Sequence, residues 1–511
     1  MPKDSDRVSL PSRAEAGANK SPAADRGRDV FLRALISSTD ATDLASLPPE
    51  GLARETIEAF NAIAVRGRGR HSVTSRPSEI VPDAIAIEIV NDDMPFLVAS
   101  VLSEIQVRGL DAAMVLHPTY KADRAADGQL VRVTSPGDGN WSDGHQESYI
   151  SIHLLGALSQ ARRDELCAAI SSILAEVRLV VGDWRRMIER VNRAIKDLKD
   201  APLAVDEAAL EEQLAFLAWL VDDNFTLLGT RDYRLDGTPA DGELVTTDDA
   251  GLGLLADPGV QVLRRGGELV VMTQELRQFF FAHDPLIITK ANVVSRVHRR
   301  VHMDYVGVKQ YGPGGEVIGE LRIVGLFTSS AYTQSPQHIP VLRRKVAQVG
   351  RALALAPESH AAKAFVNVME TFPRDELFQI TPEDLARWVA GILDLDLRPR
   401  VRAFLRYDRF DRFVSALVFV PRDRYSSSAR ERIGEYLCER FEGYVAAFYP
   451  RFGDGPLARV HFIIARRSGR IVPVEVADLE AGIARIVRTW GDALKQAISG
   501  LGDGSSALVA R

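Results

Sequence analysis

The chain has 511 residues, 46% of them apolar and 26% charged, which is the balance of a folded protein and not of a disordered one. The formal charge of −6 excludes the basic footprint of a constitutive nucleic-acid binder, and no apolar run reaches the roughly 18 residues of a membrane span. Two distant cysteines, Cys167 and Cys438, make neither a disulfide framework nor a zinc ribbon, so the expectation is a cytoplasmic, multidomain protein with no nucleic-acid or membrane partner.

Residues 1–28 are rich in Ser, Ala, Pro, Asp and Arg and read as a disordered tail. Helical patterning covers about 29–46 and 50–66, and 67–78, with Gly67, Gly69 and Pro77, reads as a linker. Residues 84–90 are β-rich. After Asn91-Asp92-Asp93, the apolar residues Met94, Leu97, Val98, Val101, Leu102 and Ile105 fall on one helical face. Asp92 or Asp93 is the expected cap, and Gly109 the stop. Strands follow at about 111–117, 129–134 and 147–155, then a helix at 159–177. The order β-α-β-β-α predicts an α/β sandwich with helices packed on one side of an antiparallel sheet.

A second helix, with Trp184, Met187, Ile188, Val191 and Ile195, and a third, with Leu210, Leu214, Leu217 and Val221 opened by Asp206, form a connector. From 225 to 330, short strands separated by Gly, Pro and Asp turns predict a β-rich region. They lie at about 225–234, 243–247, 260–264, 268–273, 285–290, 296–310 and 316–328. Helices cover about 338–355, 359–371 and 382–394. Strands at 401–407 and 412–420 then lead to a helix opened by a Ser428/Glu431 capping box. Strands near 443–449 and 457–466 and a helix at 478–498 end the pattern. The β-α-β-β-α order thus occurs twice, at about 84–177 and 412–498. The Gly-rich end, 499–511, reads as a linker or as the point where a longer polypeptide was cut.

The sequence has no GxxxxGK[ST] phosphate loop, no GxGxxG dinucleotide fingerprint, no GxSxG elbow and no HExxH. His298, His302 and Asp304 would share one face of a strand and could ligate a metal. The competing reading is a polar strand face bonded to Arg296 and Arg300. Arg296, Arg299 and Arg300 are either an anion site or a salt-bridged face. Lys290, at the end of an apolar strand, is either a catalytic base or a paired lysine.

The loop Asn91-Asp92-Asp93-Met94-Pro95-Phe96 joins a strand to a helix N-terminus. Free backbone N–H groups there can hold an α-carboxylate, and Asp92 or Asp93 can hold an α-ammonium. Asn91, Asp92, Asp93, Met94 and Phe96 are therefore the candidate effector-binding residues. The alternative is an ordinary capped helix start.

The segment Val90-Asn91-Asp92-Asp93-Met94-Pro95-Phe96-Leu97-Val98 resembles the N-terminal signature of the large bacterial NAD-dependent glutamate dehydrogenases. The resemblance continues through Leu116-His117-Pro118, Glu147-Ser148-Tyr149-Ile150 and Trp219-Leu220-Val221-Asp222-Asp223-Asn224-Phe225. It runs on through residues 283–290, 302–309, 325–329, 370–378, 409–413 and 421–425. Ala99 stands where the family pattern has Asp.

The resemblance implies an α+β multidomain fold, with two ferredoxin-like, ACT-like sandwiches flanking a β-rich middle module and helical connectors. The implied layout is 1–28 tail, 29–78 helical segment and linker, 79–180 first ACT-like domain and 181–224 helical connector. It continues with 225–335 β-rich domain, 336–398 helical segment, 399–498 second ACT-like domain and 499–511 end or linker. It also implies oxidative deamination of L-glutamate with NAD in the parent enzyme, by a catalytic region C-terminal to residue 511. This chain is then expected to be inactive alone, to bind no NAD and no metal, and to carry no catalytic residue. Its expected partners are an amino-acid effector, its own C-terminal catalytic region and further copies in a homo-oligomer. A free-standing amino-acid-sensing scaffold is the alternative reading. A third makes the β-rich middle an enzyme using Lys290, His298, His302 and Asp304.

Overall fold

A computed structural model describes residues 22–134, 145–203, 205–238, 242–249, 251–260, 284–466 and 474–489, with a few further positions at 262–269, 281 and 491–494. It divides into two compact units. One comprises the chain up to Asp183 together with Val294–Val301, and the other comprises Trp184–Val293 and the chain from His302 onward.

In the first unit three helices, α1 (Pro22–Ser38), α2 (Ala41–Ser46) and α3 (Pro49–Ala62), come first. Helix α1 starts inside the expected tail, and residues 1–21 lie outside the described residues. The sheet contains β1 (Ser72–Pro77), β2 (Ala84–Asp92), β3 (Ala112–Leu116), β4 (Thr119–Arg124), β5 (Leu130–Thr134) and β6 (His145–Leu155). Its order is β1-β2-β6-β4-β5, with β3 also on β6. Strands β3 and β4 are one line broken at His117-Pro118, because β3 pairs with residues 151–154 and β4 with residues 145–148 of β6.

Strand β1 replaces the expected linker. Its polar sequence SVTSRP carries little strand signal, and Pro77 is tolerated because β1 is an edge. Strand β2 is buried over eight consecutive residues, so both of its faces are covered. Val90 shares a core with Phe31, Leu35, Ala59 and Ile63 of the N-terminal helices. Helices thus lie on both sides of the sheet, not on one.

Helix α4 (Leu97–Val107) follows β2. Helix α5 runs unbroken from Gln160 to Asp200, 41 residues, where two helices were expected. Gly182 costs about 1 kcal/mol in a helix interior but does not break one. The buried stripe Leu166, Ile170, Ile173, Val177, Val180, Met187, Val191, Ala194 and Leu198 continues through it.

In the second unit α6 (Glu207–Trp219) precedes a single wide turn, Leu220–Asn224, and then β7 (Phe225–Asp236). The middle sheet adds β8 (Glu243–Thr246) and β9 (Leu252–Gly253), while β10 (Arg264–Arg265) and β11 (Glu268–Leu269) pair with each other and, among the described residues, with no other strand. With β12 (Leu286–Val294), β13 (His302–Tyr311) and β14 (Val317–Phe327), the sheet order is β12-β13-β14-β7-β8. Five helices follow: α7 (Ser329–Thr333), α8 (Leu342–Ala352), α9 (His360–Thr371), α10 (Arg374–Gln379) and α11 (Pro382–Leu397).

The second sandwich contains β15 (Arg402–Tyr407), β16 (Phe413–Pro421), α12 (Ser427–Phe441), β17 (Gly443–Phe452), β18 (Leu457–Arg466) and α13 (Val476–Ile486). Its sheet is antiparallel in the order β15-β16-β18-β17. Helix α12 is capped by Ser426, whose hydroxyl accepts from the Ala429 N–H at 3.1 Å, and not by Ser428. Helix α13 ends at Ile486, where one helix to about 498 was expected; Gly491, Asp492 and Leu494 are helical again, and 495–498 lie outside the described residues. Val414, Ala416, Val418 and Val420 pack under α12 and α13 beside Ile433, Leu437, Leu479 and Ile483. Each fully buried Leu or Ile contributes roughly 1.5–3 kcal/mol. The opposite face carries Ser415 and Phe419 and meets the preceding helical segment through Glu376 and the Trp388–Phe404–Phe419 ring series.

The two sandwiches therefore share a longer plan than β-α-β-β-α. Each begins with a helical segment that covers one sheet face, then an edge strand, then β-α-β-β-α. In a ferredoxin-like β-α-β-β-α-β sandwich the strand at that edge comes last. Here, in both copies, it comes first. Both copies also bury a glutamate from the helical segment against an arginine of the edge strand and a histidine of the third sandwich strand. The groups are Glu55, Arg76 and His153 in one copy and Glu376, Arg406 and His461 in the other.

Candidate functional site

The strand-to-helix loop of the first unit is built from the end of β2. Asn91 and Asp92 are its last strand residues, and Pro95-Phe96 turns the chain into α4. Phe96 occupies the N-cap position in the left-handed region, with φ 75°, a strained conformation for a bulky residue. No side chain caps α4. Asp92 and Asp93, the expected caps, point elsewhere. The Asp93 carboxylate accepts the Ser148 hydroxyl at 2.6 Å and the Gln146 amide at 2.9 Å. Asp92 accepts from Arg66 at 2.7 Å and from Arg178 of α5. Asn91 is fully buried, and its Oδ1 also accepts from Arg178.

This ionic cluster extends inward. Glu147, the strand partner of Asp92, accepts from Arg66 and Arg124 at 2.7 Å each and from the Tyr120 hydroxyl at 3.1 Å. Burial alone would raise the Glu147 carboxyl, but the bonds from Arg124 and Arg66 outweigh it and hold the group below its ordinary range. Asp92 is held down in the same way by Arg178 and Arg66. Both carboxylates are thus ionised and already paired.

Three buried donors in the cluster have no partner among the described residues: Arg66 Nε, Asn91 Nδ2 and Arg178 Nε. Beside Arg178 lies a hollow of about 500 Å³, lined by Gly69, Arg70, His71, Ala175, Arg178 and Leu179. The His71 ring shares a hydrogen bond of 2.7 Å with Ser171, and burial and the Arg178 charge favour its neutral form.

Val294–Val301 completes this unit against α4. The His298 ring lies 4.9 Å from that of Phe96, and the His298 N–H donates to Ser100 Oγ at 2.9 Å. Arg300 pairs with Glu104, and Arg296 with Glu176 at 2.7 Å, so both engage carboxylates as in the salt-bridged reading. His298 has φ 68° and precedes β13, so it does not share a strand face with His302 and Asp304. Among the described residues no group of three His, Cys, Asp or Glu side chains is placed to hold a metal. Cys167 and Cys438 are half-buried thiols on α5 and α12.

In the second unit Lys290 lies inside β12, not at its end. Its ammonium bridges Asp304 at 2.7 Å and Asp375 at 3.1 Å. Asp375 also accepts the Tyr332 hydroxyl at 2.8 Å, and Asp304 accepts the Phe327 N–H at 3.2 Å. Burial pushes the Asp304 carboxyl up; for Lys290 burial pulls the other way, and the two aspartates outweigh it and keep the amine charged. An amine held charged between two carboxylates is a tie, not a nucleophile. Sequence spacing brought Lys290 and Asp304 forward but missed Asp375 and Tyr332, which join from helices 71 and 28 residues beyond Asp304 in the chain. Burial and the charges of Lys290 and Arg412 keep His302 neutral.

Family models match three stretches of the chain. They are described as glutamate dehydrogenase, ACT1 domain, at residues 31–170; helical motif 1, at 339–398; and ACT2 domain, at 402–491. The NAD-specific glutamate dehydrogenase of Halomonas elongata is 34% identical over 437 residues, 83% of this chain and 26% of that protein. The protein of the same name from Pseudomonas aeruginosa is 32% identical over 409 residues, 80% of this chain and 25% of that protein. The one from Mycobacterium tuberculosis is 26% identical over 430 residues, 82% of this chain and 25% of that protein. The chain therefore spans about a quarter of the length of the curated relatives it matches. The ACT1 match takes in the whole strand-to-helix loop and its ionic cluster up to residue 170, and the ACT2 match takes in the second sandwich. With all three matches in chain order and relatives aligned over four-fifths of its length, the chain belongs to the NAD-specific glutamate dehydrogenase family.

Proposed function

We propose that the chain is the N-terminal regulatory and assembly portion of a large NAD-dependent glutamate dehydrogenase. The parent enzyme converts L-glutamate, NAD+ and water to 2-oxoglutarate, ammonium and NADH. The observation that carries this reading is the ordered match to two ACT domains and a helical motif by a chain that covers about a quarter of its relatives' length. On this reading NAD and the catalytic groups belong to the part of the enzyme outside this chain, which works in the cytoplasm as a homo-oligomer. Glutamate-dependent NADH production by the isolated chain tests it. No turnover is expected, and turnover comparable to that of the complete enzyme would overturn it.

The regulatory site of this reading is the loop Asn91, Asp92, Asp93, Met94 and Phe96. Of the three unpartnered buried donors there, Asn91 Nδ2 and Arg178 Nε support an incoming carboxylate, and Met94 and Phe96 supply apolar contact. Since Asp92 is already paired with Arg66 and Arg178, an effector exchanges its own carboxylate for that of Asp92 on Arg178. Calorimetry with a panel of amino acids measures the binding. Asn91→Ala and Asp93→Ala are expected to weaken it at least tenfold, and unchanged binding in both variants would place the site elsewhere.

A further inference from the structure

The second unit contains a cavity of about 460 Å³ that the loop reading does not use. Five segments line it: α6, the start of β12, α8, the α10–α11 corner and the β15–β16 hairpin. Its apolar wall includes Leu286, Ile288, Phe378 and Ile380.

Its polar wall is unevenly satisfied. Lys345 donates to the backbone carbonyls of Leu377 at 2.6 Å, Phe378 at 3.3 Å and Ile380 at 2.7 Å, all neutral acceptors. The ammonium is therefore hydrogen-bonded without being neutralised. Burial, and to a lesser degree the nearby Arg409 and Arg406 charges, lower its pKa to about 7, against the opposing pull of Glu376 and Asp284. Arg344 spends Nη2 on Asp206 at 2.6 Å, but its Nη1 is buried and has no partner. Gln213 lines the same cavity, and its Oε1 is a buried acceptor without a donor among the described residues. An unmet cationic donor and an unmet acceptor among the residues lining one cavity are costly unless a ligand or water meets both. Carboxylates on the wall also face this space: Glu212, Asp284, Glu383 and Asp408. Glu212 is taken by Arg343 and Asp408 by Arg412.

We infer that this cavity is a second ligand site, for a small α-amino or α-hydroxy carboxylate with an apolar side chain. The carboxylate sits on Arg344 Nη1 and Lys345, the α-substituent donates to Gln213 Oε1, and the side chain rests on the apolar wall. Recognition needs both a negative group and an adjacent donor, which separates this class from a simple anion.

Calorimetry on the chain carrying Asn91→Ala tests this site independently of the strand-to-helix loop. The probes are valine, 2-hydroxyisovalerate, isovalerate and inorganic phosphate. Valine and 2-hydroxyisovalerate are expected to bind at least tenfold more tightly than isovalerate or phosphate. Arg344→Gln is expected to weaken both at least tenfold, while Asp206→Asn leaves both unchanged. Gln213→Leu is expected to bring valine down to the level of isovalerate, and Gln213→Glu to favour valine over its hydroxy analogue. Absence of binding by all four probes overturns the proposal. So does phosphate binding as tightly as valine, or valine binding that neither Arg344→Gln nor Gln213→Leu alters.

Discussion

Replacing Glu376 by Gln should be among the most destabilising single changes in the second sandwich. The carboxylate is 1% exposed and holds Arg406 through both oxygens, one of them at 3.0 Å. It also accepts the Ser415 hydroxyl at 2.7 Å. Glutamine keeps one acceptor oxygen but no charge, so the Arg406 guanidinium, 10% exposed, is left with neutral side-chain acceptors, among them Gln379 Oε1 at 3.2 Å. Breaking a buried pair from one side costs about 3–5 kcal/mol, because the remaining charge is stranded away from water. Removing both partners strands nothing, so Glu376→Gln/Arg406→Met should recover most of that loss. Urea denaturation followed by circular dichroism, run as a double-mutant cycle, measures the coupling. A single-variant loss below about 1 kcal/mol, or additive single variants, would falsify the claim that the pair shares a buried environment. Burial raises the Glu376 carboxyl and Arg406 lowers it further than burial raises it, so this contribution is present above the unfolded carboxyl range and fades as pH falls through the lower folded value.

Other outcomes follow from groups of the same kind. His153 and His461 are buried and, chiefly through desolvation, lowered to about 4. Between the unfolded value of about 6.5 and that folded value, only the unfolded chain takes up their protons, so stability falls on acidification by about 1.4 kcal/mol per pH unit for each. Denaturation midpoints at pH 7 and pH 5 should therefore differ less in His461→Gln than in the parent; an unaltered difference would show that His461 does not titrate this way. Gly325→Ala should cost more than about 2 kcal/mol, because a Cβ there would come within 2.2 Å of the Thr226 carbonyl, which is backbone and cannot swing aside. Gly182→Ala, with open space around the new methyl, should instead stabilise α5 by roughly 0.5–1 kcal/mol. A drop in thermal midpoint for Gly182→Ala would contradict the helical conformation of that position.

Legibility in the sequence depended on how far apart the partners of each feature lie. Strand β2 and helix α4 were legible because their apolar residues are contiguous or periodic within about twenty residues. Strand β1 was hidden by its polar composition, although the strand at 402–407 stands in the same place before the second sandwich and could have pointed to it. The sequence reading ended one helix at 177 and opened the next near Trp184, yet the buried stripe on either side is in phase. The loop at Asn91–Phe96 could be located, but its electrostatics could not. Arg66 reaches Asp92 from 26 residues away and Arg178 reaches Asn91 from 87. Pattern reading detects neighbours along a helix or strand, and charge compensation across a sheet leaves no such pattern.

The permuted strand order has a consequence for how each sandwich is made. A ribosome releases the N-terminal part of a domain first. In both copies the covering helices and the edge strand emerge before β2 or β16, the two strands buried along both faces. The most apolar strand of each sheet thus meets a prepared hairpin partner and a prepared helical layer as it leaves the tunnel. What emerges last is a helix, α5 or α13, whose backbone hydrogen bonds close within itself. A chain arrested before that helix would expose one apolar sheet face but no unpaired inner strand. The order of elements therefore narrows the open edge of each nascent sheet to the side of β2 or β16 that waits for β6 or β18, the last strand to emerge.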